Sequence, residues 1–150
     1  MNSFIGEYTC RVDAKGRILL PAAFKKQMPA GDQEGFVIKR DIFDRCLVLY
    51  TTEEWTRQNE RIRSQINPYN KEHNAFLRNF YRGAAEVILD SSNRLLIPRR
   101  LLEETGIRRE VVLAGMDTKI EVWASHIYHQ SAAGVDEFAR LAEKIMGKDE

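Results

Sequence analysis

The sequence predicts an α+β chain with a mainly-β core, two copies of one small β module in pseudo-twofold repeat, and helices between and after them. Three observations predict it. One motif recurs at an offset of 77 residues. Short apolar, β-branched runs bounded by Gly, Asp and Thr recur within each copy. The stretches between and after the copies carry apolar residues at helical spacing.

Composition sets the frame. With 150 residues, 43% hydrophobic and 30% charged, the chain can bury its own core, which excludes wholesale disorder and a disulfide scaffold. No run of 18 apolar residues is present, so no membrane partner is expected. The start, Met1-Asn2-Ser3-Phe4-Ile5-Gly6-Glu7, lacks the basic and apolar regions of a signal peptide, so the expected location is cytoplasmic. Cys10 and Cys46 stand 36 residues apart in apolar runs and form no CxxC pair. They read as buried, reduced thiols rather than metal ligands.

The repeat organises the elements. Cys10-Arg11-Val12-Asp13-Ala14-Lys15-Gly16-Arg17-Ile18-Leu19-Leu20-Pro21 matches Val87-Ile88-Leu89-Asp90-Ser91-Ser92-Asn93-Arg94-Leu95-Leu96-Ile97-Pro98. Asp13/Asp90, Arg17/Arg94, Leu19/Leu96 and Pro21/Pro98 fall in register. The match continues loosely from Gly35 against Glu110 and from Cys46 against Lys119. Each copy opens with a strand, residues 8–12 or 85–89. Asp-Ala-Lys-Gly or Asp-Ser-Ser-Asn then makes the turn: Asp bonds its own backbone, and Gly or Asn accepts positive φ. A second strand follows, residues 17–20 or 94–97. Pro21 and Pro98 then stand at the first position of short helices, 21–28 and 98–105, the latter closed by Gly106. Strands at 36–40 and 46–51, and at 111–115 and 119–123, complete the copies.

The remaining stretches are helical. Trp55, Ile62 and Ile66 share one face. Asn67-Pro68 reads as a cap and first turn leading to Tyr69, Phe76, Leu77, Phe80 and Tyr81, with Gly83 as the stop. That aromatic spacing fits core or subunit interface better than a base-stacking platform. A last helix carries Val135, Phe138, Leu141, Ala142 and Ile145, before a polar tail, 147–150, expected to fray. The division is 5–52 and 84–126 for the modules, 53–83 for the helical insert and 127–150 for the last helix and tail.

Net charge is +1, but it is segregated. Residues 9–27 hold Arg11, Lys15, Arg17, Lys25 and Lys26 against Asp13, whereas 101–121 hold three cations against five carboxylates. A local basic patch matters where the total does not. Arg11, Lys15 and Arg17 occupy odd positions, and Cys10, Val12, Ile18 and Leu20 even ones. Alternation puts the cations on one face of a strand–turn–strand, with Gly16 allowing close approach to a phosphate backbone. The plainer reading is that Asp13 and Arg17, like Asp90 and Arg94, pair across their turns and staple a hairpin. Arg99 and Arg100 sit in a first helical turn, against the dipole, which points to a subunit contact.

Signatures of catalysis are missing from the sequence. It has no GxxxxGK[ST], GxGxxG or GxSxG, and no nucleophile–base–orienter set. His126 and His129 form an HxxH pair without a third ligand at matching spacing, and His73 reads as a surface helix residue. The expectation is a non-enzyme with no cofactor, no metal and no small-molecule substrate.

The run Val12-Asp13-Ala14-Lys15-Gly16-Arg17-Ile18-Leu19-Leu20-Pro21 resembles the hallmark of AbrB-like (SpoVT-AbrB) DNA-binding domains. Two such motifs in one chain, with Phe4-Ile5-Gly6-Glu7-Tyr8 and Leu47-Val48-Leu49-Tyr50, resemble the bacterial MraZ family from about Phe4 to Ile145. The resemblance implies swapped β-hairpins in a small barrel-like core and self-association into a ring. It implies a transcriptional regulator of the division and cell-wall gene cluster, bound to double-stranded DNA at direct repeats upstream of its own gene, in the cytoplasm and nucleoid. It places Lys15 and Arg17 on DNA. Arg11 joins them from alternation alone, and Arg94 as a weaker contact. Asp13, Gly16, Asp90 and Asn93 shape the loops. The second copy departs from the pattern: Ser92 replaces the Lys and Asn93 the Gly. The alternative is an AbrB-like protein-interaction module, an antitoxin or scaffold, although the long partner-binding tail of an antitoxin is not evident here.

Overall fold

The computed structural model describes residues 3–28 and 35–147. Residues 148–150 of the tail expected to fray lie outside the described residues, as do Met1 and Asn2. The order is β1 (Glu7–Arg11), β2 (Arg17–Leu19), α1 (Ala22–Lys26), β3 (Gly35–Arg40), β4 (Leu47–Thr51), α2 (Thr52–Gln65), α3 (Lys71–Tyr81), β5 (Ala85–Ile88), β6 (Arg94–Leu96), α4 (Arg99–Glu104), β7 (Glu110–Met116), β8 (Lys119–Ala124), α5 (Ser125–Gln130) and α6 (Val135–Met146). This is a mixed α+β chain built on antiparallel strands. Among the described residues no helix is long and apolar enough to cross a membrane.

The strands do not pair within their own repeats alone. The larger sheet runs β1-β7-β8-β4-β3-β5, and β2 pairs with β6 in a second, two-stranded sheet. β1 of the first copy lies along β7 of the second, with Tyr8 opposite Leu113. β5 of the second copy lies along β3 of the first, with Val87 opposite Phe36. Exchange β1 for β5, β3 for β7 and β4 for β8, and the order reads the same from the other end. Neither half completes its sheet without the other.

The residue pattern explains the faces. In β1 the even residues Tyr8 and Cys10 turn toward the core, while Glu7, Thr9 and Arg11 are exposed. In β2 Ile18 is buried and Leu19 exposed. β4 is buried at every position, as a strand covered on both faces must be. One face belongs to the central cluster of Phe24, Phe36, Ile38, Leu47, Leu49, Leu101 and Leu113. Phe24 is fully buried there, edge-on to Phe4 at 5.7 Å and to Tyr8 at 5.1 Å. The other face meets the helices. Trp55 of α2 lies 5.8 Å from Tyr50 and stacks on Phe80 of α3 at 6.0 Å. Buried Lys39 sits over the Phe80 ring at 4.3 Å and donates to the Arg40 carbonyl at 2.7 Å.

Several expected details differ. Pro21 and Pro98 sit at the helix caps, not at the first helical position, because their ψ angles of 137° and 135° are still extended. α3 begins at Lys71, capped by Asn70, whose side chain accepts from His73 N. Asn67 instead closes a turn onto Tyr69 N at 3.0 Å, and His73 Nδ1 accepts from Asn67 N. That turn carries Tyr69 away from the helix face, and it is 95% exposed rather than core. The α4 stop follows expectation: Gly106 has φ 70°, its N–H bonds Glu103 O, and Ile107 N–H bonds Leu102 O. α6 buries none of its residues, so the apolar stripe of Val135, Phe138, Leu141 and Ile145 faces outward.

Candidate nucleic-acid interface

Pairing of β2 with β6 brings the two Asp-xxx-Arg loops side by side, with Arg17 opposite Leu96 and Leu19 opposite Arg94. Each loop is closed by the same chemistry. Asp13 N–H bonds Arg17 O and Gly16 N–H bonds Asp13 O, both at 3.0 Å. Asp90 N–H bonds Arg94 O at 2.9 Å and Asn93 N–H bonds Asp90 O at 3.0 Å. Asp13 Oδ1 accepts from Lys15 N at 2.9 Å and Arg17 N at 2.8 Å. Asp90 Oδ1 accepts from Ser92 N at 2.8 Å and Arg94 N at 2.9 Å. The fourth residue of each turn adopts positive φ, 88° at Gly16 and 61° at Asn93, which is why Gly and Asn stand there. The loops also clasp each other: Leu20 N–H bonds Asn93 O and Ile97 N–H bonds Gly16 O.

The arginines differ. Arg17 Nε donates to Asp13 Oδ2 at 2.7 Å, so the pair expected across the turn is made. Arg94 Nε lies 3.5 Å from Asp90 Oδ2 without hydrogen-bond geometry and is otherwise buried and unpartnered. Arg94 Nη1 also lies 3.7 Å from Asp13 Oδ2. Asp13 therefore faces both arginines. Backbone N–H donation from Arg17 holds the Asp13 carboxyl below the usual carboxylate range, and that from Arg94 does the same for Asp90. Both aspartates are ionised at neutral pH.

Around this clasp stand the other cations. Lys15 is exposed at the tip of the first loop, and among the described residues its ammonium makes no hydrogen bond or ion pair. The two Nη groups of Arg17 likewise have no protein acceptor there. Arg11 is exposed at the end of β1. Lys25 Nζ of α1 donates to Asn93 Oδ1 at 2.7 Å. Sequence reasoning missed Lys25 at the second loop and Arg94 at Asp13. Both contacts join residues far apart in sequence across the repeat, and no local spacing signals them.

The other candidates have plainer surroundings. Cys46 is buried and Cys10 half-buried, and both are free thiols. Burial raises both, Cys46 with added push from Glu121, Asp41 and Asp44, so neither is a thiolate at neutral pH. Asp41, Cys46 and Glu121 bring ligand atoms within 4.8 Å of one another. Their oxygens already serve the fold: Asp41 Oδ2 caps Phe43 N and Asp44 N, and Glu121 Oε1 accepts from Trp123 Nε1. His126 and His129 lie on α5, with His129 against the Tyr128 ring at 5.6 Å.

Comparison with known proteins meets this geometry twice along the chain. A family model described as "MraZ protein, putative antitoxin-like" matches residues 3–79 and again 80–145. Christiangramia forsetii has a "Transcriptional regulator MraZ" that is 43% identical over all of this chain and 97% of its own length. Its namesake in Cytophaga hutchinsonii is 40% identical over 97% of this chain and 96% of its own. The one in Flavobacterium psychrophilum is 38% identical over 98% and 94%. The likeness takes in both Asp-xxx-Arg loops and runs nearly end to end, and on that ground the chain belongs to the MraZ family.

Proposed function

We infer that this protein is a DNA-binding transcriptional regulator, and that it acts at short direct repeats upstream of its own gene in the bacterial division and cell-wall cluster. Its place of work is the cytoplasm and nucleoid. The single observation that carries the reading is the first loop: among the described residues Lys15 is exposed without a protein acceptor, beside Arg17 whose guanidinium is fixed by Asp13 yet keeps both Nη groups open. A fixed guanidinium suits bidentate contact with guanine O6 and N7, worth about 1–3 kcal/mol of discrimination. Lys15 and Arg11 suit phosphate, as Arg94 does more weakly. Relatives named transcriptional regulators support the same reading.

Two or three phosphate contacts alone give weak, salt-sensitive binding. Several subunits on one duplex raise affinity by about 10²–10⁴-fold where loop spacing matches repeat spacing. A ring presents its loops in one sense, as direct repeats require. The outward apolar stripe of α6 supports self-association.

The test is fluorescence anisotropy of wild type and Arg17→Ala on DNA carrying the upstream repeats, against scrambled DNA, at two salt concentrations. The expected result is sequence-preferring binding by wild type that Arg17→Ala removes at unchanged oligomer size. Equal affinity for both DNAs, or a variant that binds like wild type, overturns the assignment. A protein-interaction module is the second reading, favoured by the same α6 stripe. Copurification of a foreign protein in place of DNA is the result that supports it.

A further inference from the structure

Two cavities share one wall beside the first loop. A cleft of about 310 Å³ is lined by Asp13, Ala14 and Gly16 of the loop together with Arg99, Glu103 and Arg108. Arg108 also lines a larger cavity of about 720 Å³, with Arg11, Arg109, Glu110 and His126. Three arginines and one glutamate thus line an open cavity, joined through Arg108 to the cleft at the loop. All three arginines are exposed, and among the described residues none of their side chains makes a hydrogen bond or ion pair. Elsewhere Arg17, Arg57 and Arg94 each lie against a carboxylate.

The backbone beneath them is fixed. Arg11 is paired with Glu110 at the end of β1. Val12 N–H bonds Arg109 O at 2.7 Å, which ties the first loop to the start of β7. Arg108 and Arg109 follow directly on the closed turn after α4. These cations are therefore held at strand ends, not on a flexible segment.

The repeat shows that the fold does not demand them. Position 11 corresponds to Ile88, and 108–109 to Gln33-Glu34, in the register that aligns Gly35 with Glu110. Ile88 is 69% exposed, so an uncharged residue serves the matching place.

We propose that Arg108, with Arg11 and Arg109, forms a phosphate-holding cleft that continues the first loop's contact along the DNA backbone. The inference rests on the DNA-binding reading above and adds residues to it. The loop reads base edges; the cleft grips phosphodiester and sets the register without reading sequence. Two features favour backbone over base: the arginines line a cavity that Lys15 at the loop tip does not, and among the described residues no carboxylate fixes their angles as Asp13 fixes Arg17.

The test compares wild type, Arg108→Ala/Arg109→Ala and Arg108→Lys/Arg109→Lys on repeat and scrambled DNA across a salt series. The double alanine variant is expected to lose affinity for both DNAs by a similar factor. Its plot of log K against log salt is expected to flatten by about 2, near 0.9 per phosphate released. The preference for repeat DNA stays, and the lysine variant restores the slope, because a point charge suffices for phosphate. Wild-type affinity and slope in the alanine variant overturn the cleft while leaving the regulator reading intact. A lost sequence preference also overturns it, since the residues then read bases. Failure of wild type to bind either DNA overturns both readings together.

Discussion

The two Asp-xxx-Arg loops share a backbone and differ in the face they present. Both use an Asp Oδ1 to gather two N–H groups, and both turn on a positive φ. The first adds Lys15, whose ammonium has no acceptor among the described residues, a Gly16 buried against Leu102 and Ile97 and so closed to the close approach expected of it, and an arginine locked at 2.7 Å. The second has Ser92, an Asn93 occupied by Lys25, and an arginine whose Nε sits 3.5 Å from its own aspartate. The Asp-xxx-Arg frame therefore belongs to the fold, since both copies close it with the same hydrogen bonds, and the two residues inside it are where the proposed DNA contact can differ between the loops.

The sharpest way to break that comparison is to remove each arginine in turn. Arg17→Ala is expected to weaken binding to repeat DNA by about 10–100-fold, the scale of one lost bidentate base contact. Arg94→Ala is expected to cost only a few-fold, through a lost phosphate contact and a loosened Asp13. Titration of both variants against one labelled duplex checks the order, and equal losses contradict the asymmetry. A gain-of-function graft sharpens it. Ser92→Lys/Asn93→Gly gives the second loop the first loop's residues. Its salt slope is expected to steepen by about 1, one phosphate, with a modest gain in affinity for any duplex.

Much of this was legible in the residues. The repeat and the turn chemistry follow from Asp, Gly, Asn and Pro at fixed spacing, and the inward face from alternation in Cys10, Val12, Ile18 and Leu20, but the expected hairpins are not formed: β1 and β2 meet only at a Val12–Ile18 bridge, and each strand then pairs in a different sheet. The exchange of β1 and β5 between halves is not written in either copy, because β1 satisfies the same pattern against any antiparallel partner. The site is legible to the same extent. Asp13 capping its own loop is local, with partners within four residues. Arg94 at Asp13, Lys25 at Asn93 and Arg108 beside Arg11 arise only when the halves interlock.

Backbone conformation gives a third contrast. Gly16→Val places a β-branched residue at φ 88°, with its Cβ 3.3 Å from Leu102 Cδ1 and 3.4 Å from Ile97 O. The left-handed conformation alone costs about 1–2 kcal/mol, so Tm is expected to fall by about 2–8 °C. Asn93→Gly relieves the same strain at the second loop and gives up only the Lys25 contact, so its Tm is expected to stay within about 1–2 °C of wild type. Calorimetry of the two variants decides it. Equal falls in Tm contradict the view that the left-handed conformation, rather than the Lys25 contact, sets the cost at these two positions.

The smallest expected effect is a dependence on acid. Asp13 and Asp90 are both held below the ordinary carboxylate range, chiefly by the backbone N–H groups of Arg17 and Arg94. A carboxylate lowered by folding stabilises the native state above its unfolded value of about 3.9 and loses that contribution as pH falls toward the folded one. The loops therefore confer no pH dependence near neutrality and begin to fail below about pH 4. Asn keeps the Oδ1 acceptor, so Asp13→Asn and Asp90→Asn retain the turn and discard the titration. Asp13 also takes the Arg17 side-chain bond and faces Arg94. Asp13→Asn is thus expected to flatten the acid limb of a urea-denaturation series more than Asp90→Asn does. If the two variants shift that limb equally, Asp13 is no more than the cap of its own turn, and its contacts with the Arg17 and Arg94 side chains carry no weight in stability.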